Sequence, residues 1–359
     1  MNSHSRSAVL SRAQSATDRD FYRLAIVGAA TLKGKEVSEV INERNFPSAD
    51  IKLLDDDETL GQLEAAGNEI TFIQSVRAEQ FENIDFTFFA SDARCTRANW
   101  KLAQKAGSAI IDLSYELENE PDAAIRSPWV ERQLGQSPGM ELQPGPAVVP
   151  HPAAIVLALL QLRVTRLTPL VKAVATVFEP ASEHGQKGMD ELHEQTVNLL
   201  SFQAMPRKVF DAQVAFNLVS RYGEQSVPSL AAIEGRVRSH YQKLAGSTAI
   251  TPSLFLVQAP VFHGHTFAIH LEAERAIGLD ELRQALAGEH VHVASEDADS
   301  PSTVSPAGQG DIQVSVRIDG ARPNSFWLWA ASDNLRIAAA TAVECAESMT
   351  ASRPRGKVQ

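Results

Sequence analysis

A chain of 359 residues, 44% hydrophobic and 21% charged, holds enough apolar side chains for a folded core and exceeds the length of one ordinary domain. Its net charge of −11 at pH 7 gives no long-range attraction for a polyanion, so nucleic acid is not an expected partner. No apolar run reaches bilayer-crossing length, so no membrane partner is expected, and two cysteines, Cys95 and Cys345, fit a reducing, cytoplasmic compartment better than a disulfide framework.

Residues 1–20 are polar, carry Arg6, Arg12 and Arg19, and lack the apolar core of a secretory signal; they read as a disordered leader. The run from Arg23 to Val27 stops at Gly28, and a turn then leads into a helical stretch from Lys33 to Arg44. Apolar runs recur at 51–54, 70–73, 86–90 and 109–113 with helix-compatible stretches between several of them. That alternation predicts an α/β, Rossmann-like domain over residues 21–150, a parallel sheet wrapped by helices. Residues 117–150, rich in Pro, Gly and Glu, read as a connecting excursion with a domain boundary near its end.

Beyond it, 153–163 reads as a helix, 170–178 as a β-branched strand and 189–202 as a helix. Strands expected at 255–261, 267–271 and 314–318 suggest an α+β domain over 151–332, its mostly antiparallel sheet covered by helices on one face. Residues 295–310, crowded with Ser, Asp, Pro and Gly, read as a mobile loop. Residues 333–359 supply a closing helix that returns to the first domain, then a disordered tail whose basic end, Arg353 to Lys357, reads as solvated.

Five segments carry a family signal: the turn Gly28-Ala29-Ala30-Thr31-Leu32-Lys33-Gly34, the stretch Val148 to Ile155, the presumed strand Ala215 to Val219, the run Pro260 to Thr266, and Trp327 to Arg336. Together, from about Tyr22 to about Ser348, they make a chain that resembles the aspartate-semialdehyde dehydrogenases. The resemblance implies a Rossmann-like NAD-binding domain, a dimerisation domain, a homodimer and a place in amino-acid biosynthesis. It also implies thiolate attack on an aldehyde, hydride exchange with nicotinamide and release of a thioester to phosphate. His265 matches the family's general acid/base. Pro152 stands where the family has its nucleophilic cysteine, and without sulfur the covalent step cannot run.

Other positions depart from the pattern too. In the nucleotide turn, Gly28, Ala30, Thr31, Leu32 and Gly34 are the expected pyrophosphate contacts, with Thr31 where the family carries its central glycine. Ser91 lies in the fourth-strand loop that touches the cofactor, and Asn334, in the return motif, is placed with the cofactor residues. Asp55 ends the second strand, where an acid holds a ribose diol and repels a ribose phosphate, so NAD is expected ahead of NADP; a solvated acidic strand end is the other reading. In the substrate pocket the resemblance puts Glu118 at a phosphate-binding arginine, Glu179 at a glutamine, Arg236 at a lysine and Gln258 at the arginine that holds a carboxylate. Jointly these changes argue against aspartate semialdehyde as the ligand.

Cys95, at a helix entrance beside Arg94, is either a low-pKa replacement thiol or an incidental cysteine. The pairs His263/His265 and His290/His292 each offer two imidazoles on one face of a strand, but no third ligand is visible and no metal site is assigned. The favoured reading is a non-catalytic pseudoenzyme that binds a small molecule or a protein. The alternative is an NAD-dependent oxidoreductase acting on an aldehyde or hydroxyl by direct hydride transfer, with His265 as base.

Overall fold

The computed structural model describes residues 21–55, 61, 63–66, 69–136, 145–295 and 297–350. The expected leader, Asp56, Asp57 and the basic end lie outside the described residues. The described residues form two compact units, one within 21–124, 145–149 and 342–350 and one within 125–136 and 150–341.

The first unit opens with β1 (Tyr22–Val27), α1 (Leu32–Glu43) and β2 (Ser48–Asp55). A hairpin of β3 (Leu63–Ala66) and β4 (Glu69–Phe72) follows, then β5 (Gln74–Ser75), β6 (Phe86–Phe89), α2 (Ala93–Lys105) and β7 (Ala109–Asp112). Two short strands, β8 (Ala124–Ile125) and β9 (Ala147–Val148), flank a single-turn helix of the second unit, α3 (Pro128–Gln133). The sheet order is β5-β2-β1-β6-β7-β9-β8, with β1 parallel to β2 and β6, and β7 parallel to β6 and β9. All four residues of β6 and five of the six of β1 are buried, as expected for strands covered on both faces.

The second unit begins with α4 (Pro152–Thr165), in which every residue through Val164 is buried, so that it is apolar all round rather than on one stripe. It continues through β10 (Leu170–Glu179), α5 (Gly185–Leu200), α6 (Leu230–Ala245), β11 (Ser253–Gln258) and β12 (His265–Ala273). The last elements are α7 (Leu279–Leu286), β13 (Val291–Val293), β14 (Ile312–Ile318), β15 (Ser325–Ser332) and α8 (Asn334–Thr350), whose residues from 342 on belong to the first unit. Sheet order is β11-β10-β12-β15-β14-β13; the three inner pairs are antiparallel and the two edge pairs parallel.

Alternation along two neighbouring strands brings the key side chains together. On β10, Ala173, Ala175, Val177 and Glu179 share the buried face, and on β12 the same is true of His265, Phe267, Ile269 and Leu271. Phe178 pairs with Thr266, so Glu179 and His265 follow at adjoining ends of the two strands.

The expected strand at Ala215–Val219 does not form. Phe216 takes a positive φ of 55°, and only Val219 makes a bridge, to Gln258. Gln195 of α5 takes the first donor of the run, its Oε1 accepting from the amides of Val214 and Ala215, and Glu191 holds the preceding loop through the amides of Val209 and Phe210. In the segment read from sequence as a loop, Pro301 O accepts from the indole of Trp329 at 2.7 Å, and the Gly308 amide donates to Asp333 at 2.9 Å.

Candidate functional site

The nucleotide turn keeps its shape but engages its donors internally. Gly28 sits at φ +85°, and a side-chain carbon there would lie 2.5 Å from Ser91 N; one on Gly34 would lie 2.1 Å from Gly28 O. Both glycines are therefore fixed by backbone crowding. Thr31 caps α1, its Oγ1 accepting from Gly34 N at 2.9 Å while lying 2.8 Å from Gly28 O. Leu32 opens the helix. Asp55 is buried and accepts from the Ala30 amide at 2.8 Å, so the carboxylate expected at a ribose braces the loop. Ser91 Oγ meets Thr96 Oγ1 at 3.1 Å.

Cys95 does not suit a replacement nucleophile. Burial pushes its thiol up, and the charges of Asp92 and Asp55 add to that rise; Asp92 also takes the Cys95 amide as the cap of α2. A protonated thiol is a poor nucleophile. Glu118 lies half-buried in the turn after β7, its amide donating to Tyr115 O at 3.3 Å.

In the second unit, four histidine and glutamate side chains from three parts of the sequence converge. His265 Nε2 lies 3.0 Å from Glu179 Oε2, and both side chains are wholly buried. His151 Nε2 lies 3.7 Å from Glu179 Oε1 and 3.7 Å from Glu183 Oε2, and the two imidazole rings are 5.5 Å apart. Burial would raise the Glu179 carboxyl, but the neighbouring His151 and His265 override it and hold it well below the usual carboxylate range. Burial would lower His265, and here Glu179, with help from Glu183 and Asp333, wins and raises it above its ordinary value. Burial depresses His184, which stays neutral.

Backbone and capping bonds hold this cluster in place. His151 caps α4, its Nδ1 accepting from Ala153 N at 3.3 Å, and its own amide donates to His240 Nδ1 at 2.9 Å. Pro152 follows as the first helical residue, a position where a missing N–H costs nothing. Asn334, expected at the cofactor, is fully buried and spends its amide inside the unit. Its Oδ1 accepts from Gly264 N at 3.0 Å and from Ser182 Oγ at 3.2 Å, and its Nδ2 donates to Glu183 Oε1 at 2.8 Å. It thereby fixes both Glu183 and the turn that delivers His265, a turn in which Gly264 sits at φ +84°.

Gln258, expected to face a substrate carboxylate, is also enclosed. It accepts from Tyr222 OH at 2.6 Å and donates to the main-chain oxygens of Glu179 and Ala259. Tyr222 in turn meets His184 Nε2 at 2.8 Å. Arg236 is half-buried on α6, one turn before His240.

The structure thus joins His265 to Glu179 and adds His151 and Glu183, which the sequence reading had not joined to them. His151, Glu179 and His265 place their ligand atoms within 4.8 Å of one another, a donor set able to hold a metal ion. The histidine pairs weighed from the sequence do not act as pairs on strands: His263 precedes β12, and His290, at φ 63°, precedes β13 and stacks on Trp129 at 3.8 Å.

A parallel dinucleotide-type sheet followed by a mixed sheet with a histidine at the head of a central strand defines a two-part dehydrogenase scaffold. Residues 23–136 match the family model described as the semialdehyde dehydrogenase NAD binding domain, and residues 159–337 that of the semialdehyde dehydrogenase dimerisation domain. The chain belongs to the semialdehyde dehydrogenase family. It is 30% identical to a USG-1 protein homolog of Azotobacter vinelandii over 90% of this chain and 96% of that protein. It is 27% identical to an aspartate-semialdehyde dehydrogenase of Rickettsia conorii over 91% and 97% of the two chains. The solved structure of a probable aspartate-semialdehyde dehydrogenase from Pseudomonas aeruginosa is similar at a TM-score of 0.82 and 28% identity, covering 92% of this chain and 98% of that one.

Proposed function

We propose that this chain is a ligand- or partner-binding member of the semialdehyde dehydrogenase family that forms no thioester, working in the cytoplasm as a homodimer through its dimerisation domain. The observation that carries the reading is Pro152, buried at the first position of α4 where the resemblance puts the nucleophile. Proline has no group that attacks a carbonyl, and Cys95 is held protonated. The test is to incubate the pure full-length protein with aspartate semialdehyde, phosphate and either NAD or NADP, and to follow reduced nicotinamide. We expect no signal above a protein-free control. Phosphate-dependent turnover lost on His265→Asn would overturn the reading.

A second reading, an NAD-dependent oxidoreductase using direct hydride transfer, draws support from the Glu179–His265 pair. The Nδ1 of His265 is buried without a hydrogen-bond partner, while Nε2 is oriented by the carboxylate. An imidazole so held accepts a proton from a hydroxyl. Phosphate-independent oxidation of an alcohol or aldehyde with NAD would favour it.

For the nucleotide itself the fit is partial. The glycine-shaped cradle persists, and a bound nicotinamide would supply a hydride acceptor there. Yet the amides of Ala30 and Gly34 already donate to Asp55 and Thr31, so a pyrophosphate must displace internal oxygens. With Asp55 at the second strand's end, NAD remains favoured over NADP. Thr31→Gly is therefore expected to tighten NAD binding about tenfold by freeing one charge-assisted amide, while lowering stability by roughly 1 kcal/mol. Calorimetric titration alongside urea unfolding checks both; unchanged affinity would mean that the cap does not compete with phosphate.

A further inference from the structure

We propose that His151, Glu179 and His265, joined by Glu183, form a binding site for a zinc-class divalent cation. Tetrahedral zinc with ligand bonds of about 2.0–2.1 Å needs its donor atoms roughly 3.3 Å apart. His265 lies 3.0 Å from Glu179 and His151 lies 3.7 Å from Glu179, and the three donor atoms lie within 4.8 Å of one another, so modest side-chain shifts close them onto a cation, with Glu183, 3.7 Å from His151, beside them. Two imidazoles with carboxylates are the borderline nitrogen and oxygen donors that zinc takes.

Two further observations point to a ligand. Glu179 Oε1 is buried with no hydrogen-bond partner, although it faces His151 Nε2. An orphaned carboxylate oxygen inside a protein is costly, and a cation removes that cost. The second is charge balance. Glu179 and Glu183 bring two carboxylates into a nearly closed space, with side-chain exposures of 0% and 4%, and a dication with neutral imidazoles neutralises them. Outer contacts hold one carboxylate and one turn: Asn334 Nδ2 donates to Glu183, and Asn334 Oδ1 accepts from the Gly264 amide in the turn before His265. Coordination through His151 Nε2 moves that ring's proton to Nδ1, so the long 3.3 Å bond from Ala153 N opens.

The inference rests on the reading of this pocket as a binding site rather than a thiolate one, and deepens it by naming the ligand class. The full chain is purified from zinc-supplemented culture and its metal content measured, then the chelator-stripped protein is titrated with Zn²⁺ and with Co²⁺, whose visible spectrum reports tetrahedral nitrogen and oxygen ligation. We expect close to one zinc per chain, a tetrahedral Co²⁺ spectrum and a zinc-dependent rise in melting temperature. Glu179→Gln and His265→Asn are each expected to weaken zinc binding by more than about tenfold. His151→Asn, which retains a capping side chain, serves where the others fail to fold. Absence of zinc with no cobalt spectrum, or zinc retained equally by the variants, overturns the site. Aldehyde turnover with zinc bound would remove the non-catalytic reading but leave this one standing, and zinc-free inactive protein would do the reverse.

Discussion

Glu179→Leu is expected to lower the unfolding free energy by about 3 kcal/mol, measured by urea denaturation with a chelator present. Removing one member of a buried ion pair costs about 3–5 kcal/mol because the remaining charge has no partner. The lower end applies because a stranded imidazolium can discharge itself by losing its proton. The effect depends on pH in a defined direction. His265, raised above its unfolded value, contributes stability that is complete below about pH 6.5 and is lost as pH rises through the elevated value. Glu179, depressed, contributes stability that is complete above about pH 4.3 and is lost as pH falls through its lowered value. The gap between wild type and variant should therefore be widest between about pH 4.3 and 6.5 and narrow in mildly alkaline solution. Glu179→Leu combined with His265→Leu should recover most of the loss, because two apolar groups need no partner. A gap that stays flat across this range would mean that the pair carries no net charge interaction.

Periodicity made much of the architecture legible from the residues. Apolar runs ending at Gly28, Leu54 and Ala90 mark parallel strands because such strands are covered on both faces. In the second sheet β10, β11, β12 and β14 were legible as strands, whereas β15, which makes two of the three antiparallel pairs, and the edge strand β13 were not, nor was the parallel direction of the edge pairs, since strand direction leaves no trace in alternation. Ala215 to Val219 resembles a family strand in residue type, but the Ala215 amide goes to Gln195 on a helix some twenty residues earlier and Phe216 turns at a positive φ. For Cys95 an acidic thiol and an incidental cysteine were both open, and burial, which pushes the thiol up, favours the second.

At the candidate site the individual departures were visible and their meeting was not. Pro152 and Glu179 departed from the family pattern and His265 matched it, but nothing in the sequence joined His151 or Glu183 to them. The signal that joins Glu179 to His265 is local: each lies on the buried alternation of its strand and at that strand's end. His151 reaches them from the start of a different helix, and no sequence spacing encodes that approach. Proline at the next position accords with this role, because it secures the helix start while His151 supplies the cap.

Asn334→Leu is expected to destabilise the protein by about 4 kcal/mol in the absence of any nucleotide. The substitution keeps the forked shape in a bulkier side chain and removes three polar contacts at once, leaving the Gly264 amide, the Ser182 hydroxyl and one oxygen of Glu183 without those bonds. Each lost bond costs about 1–3 kcal/mol when a buried group is left without its partner, with the charged group at the upper end. The sum falls below three full penalties because the Glu183 side chain, 4% exposed, can shift toward solvent. Asn334→Asp should be damaging as well, since it replaces a donor by a second carboxylate against Glu183. Urea unfolding of the free protein separates two roles for this residue. A structural brace lowers stability whether or not nucleotide is added, whereas a cofactor contact leaves the free protein intact and weakens only NAD binding. The second outcome would return Asn334 to the nucleotide site, and with it the cofactor role the resemblance suggested.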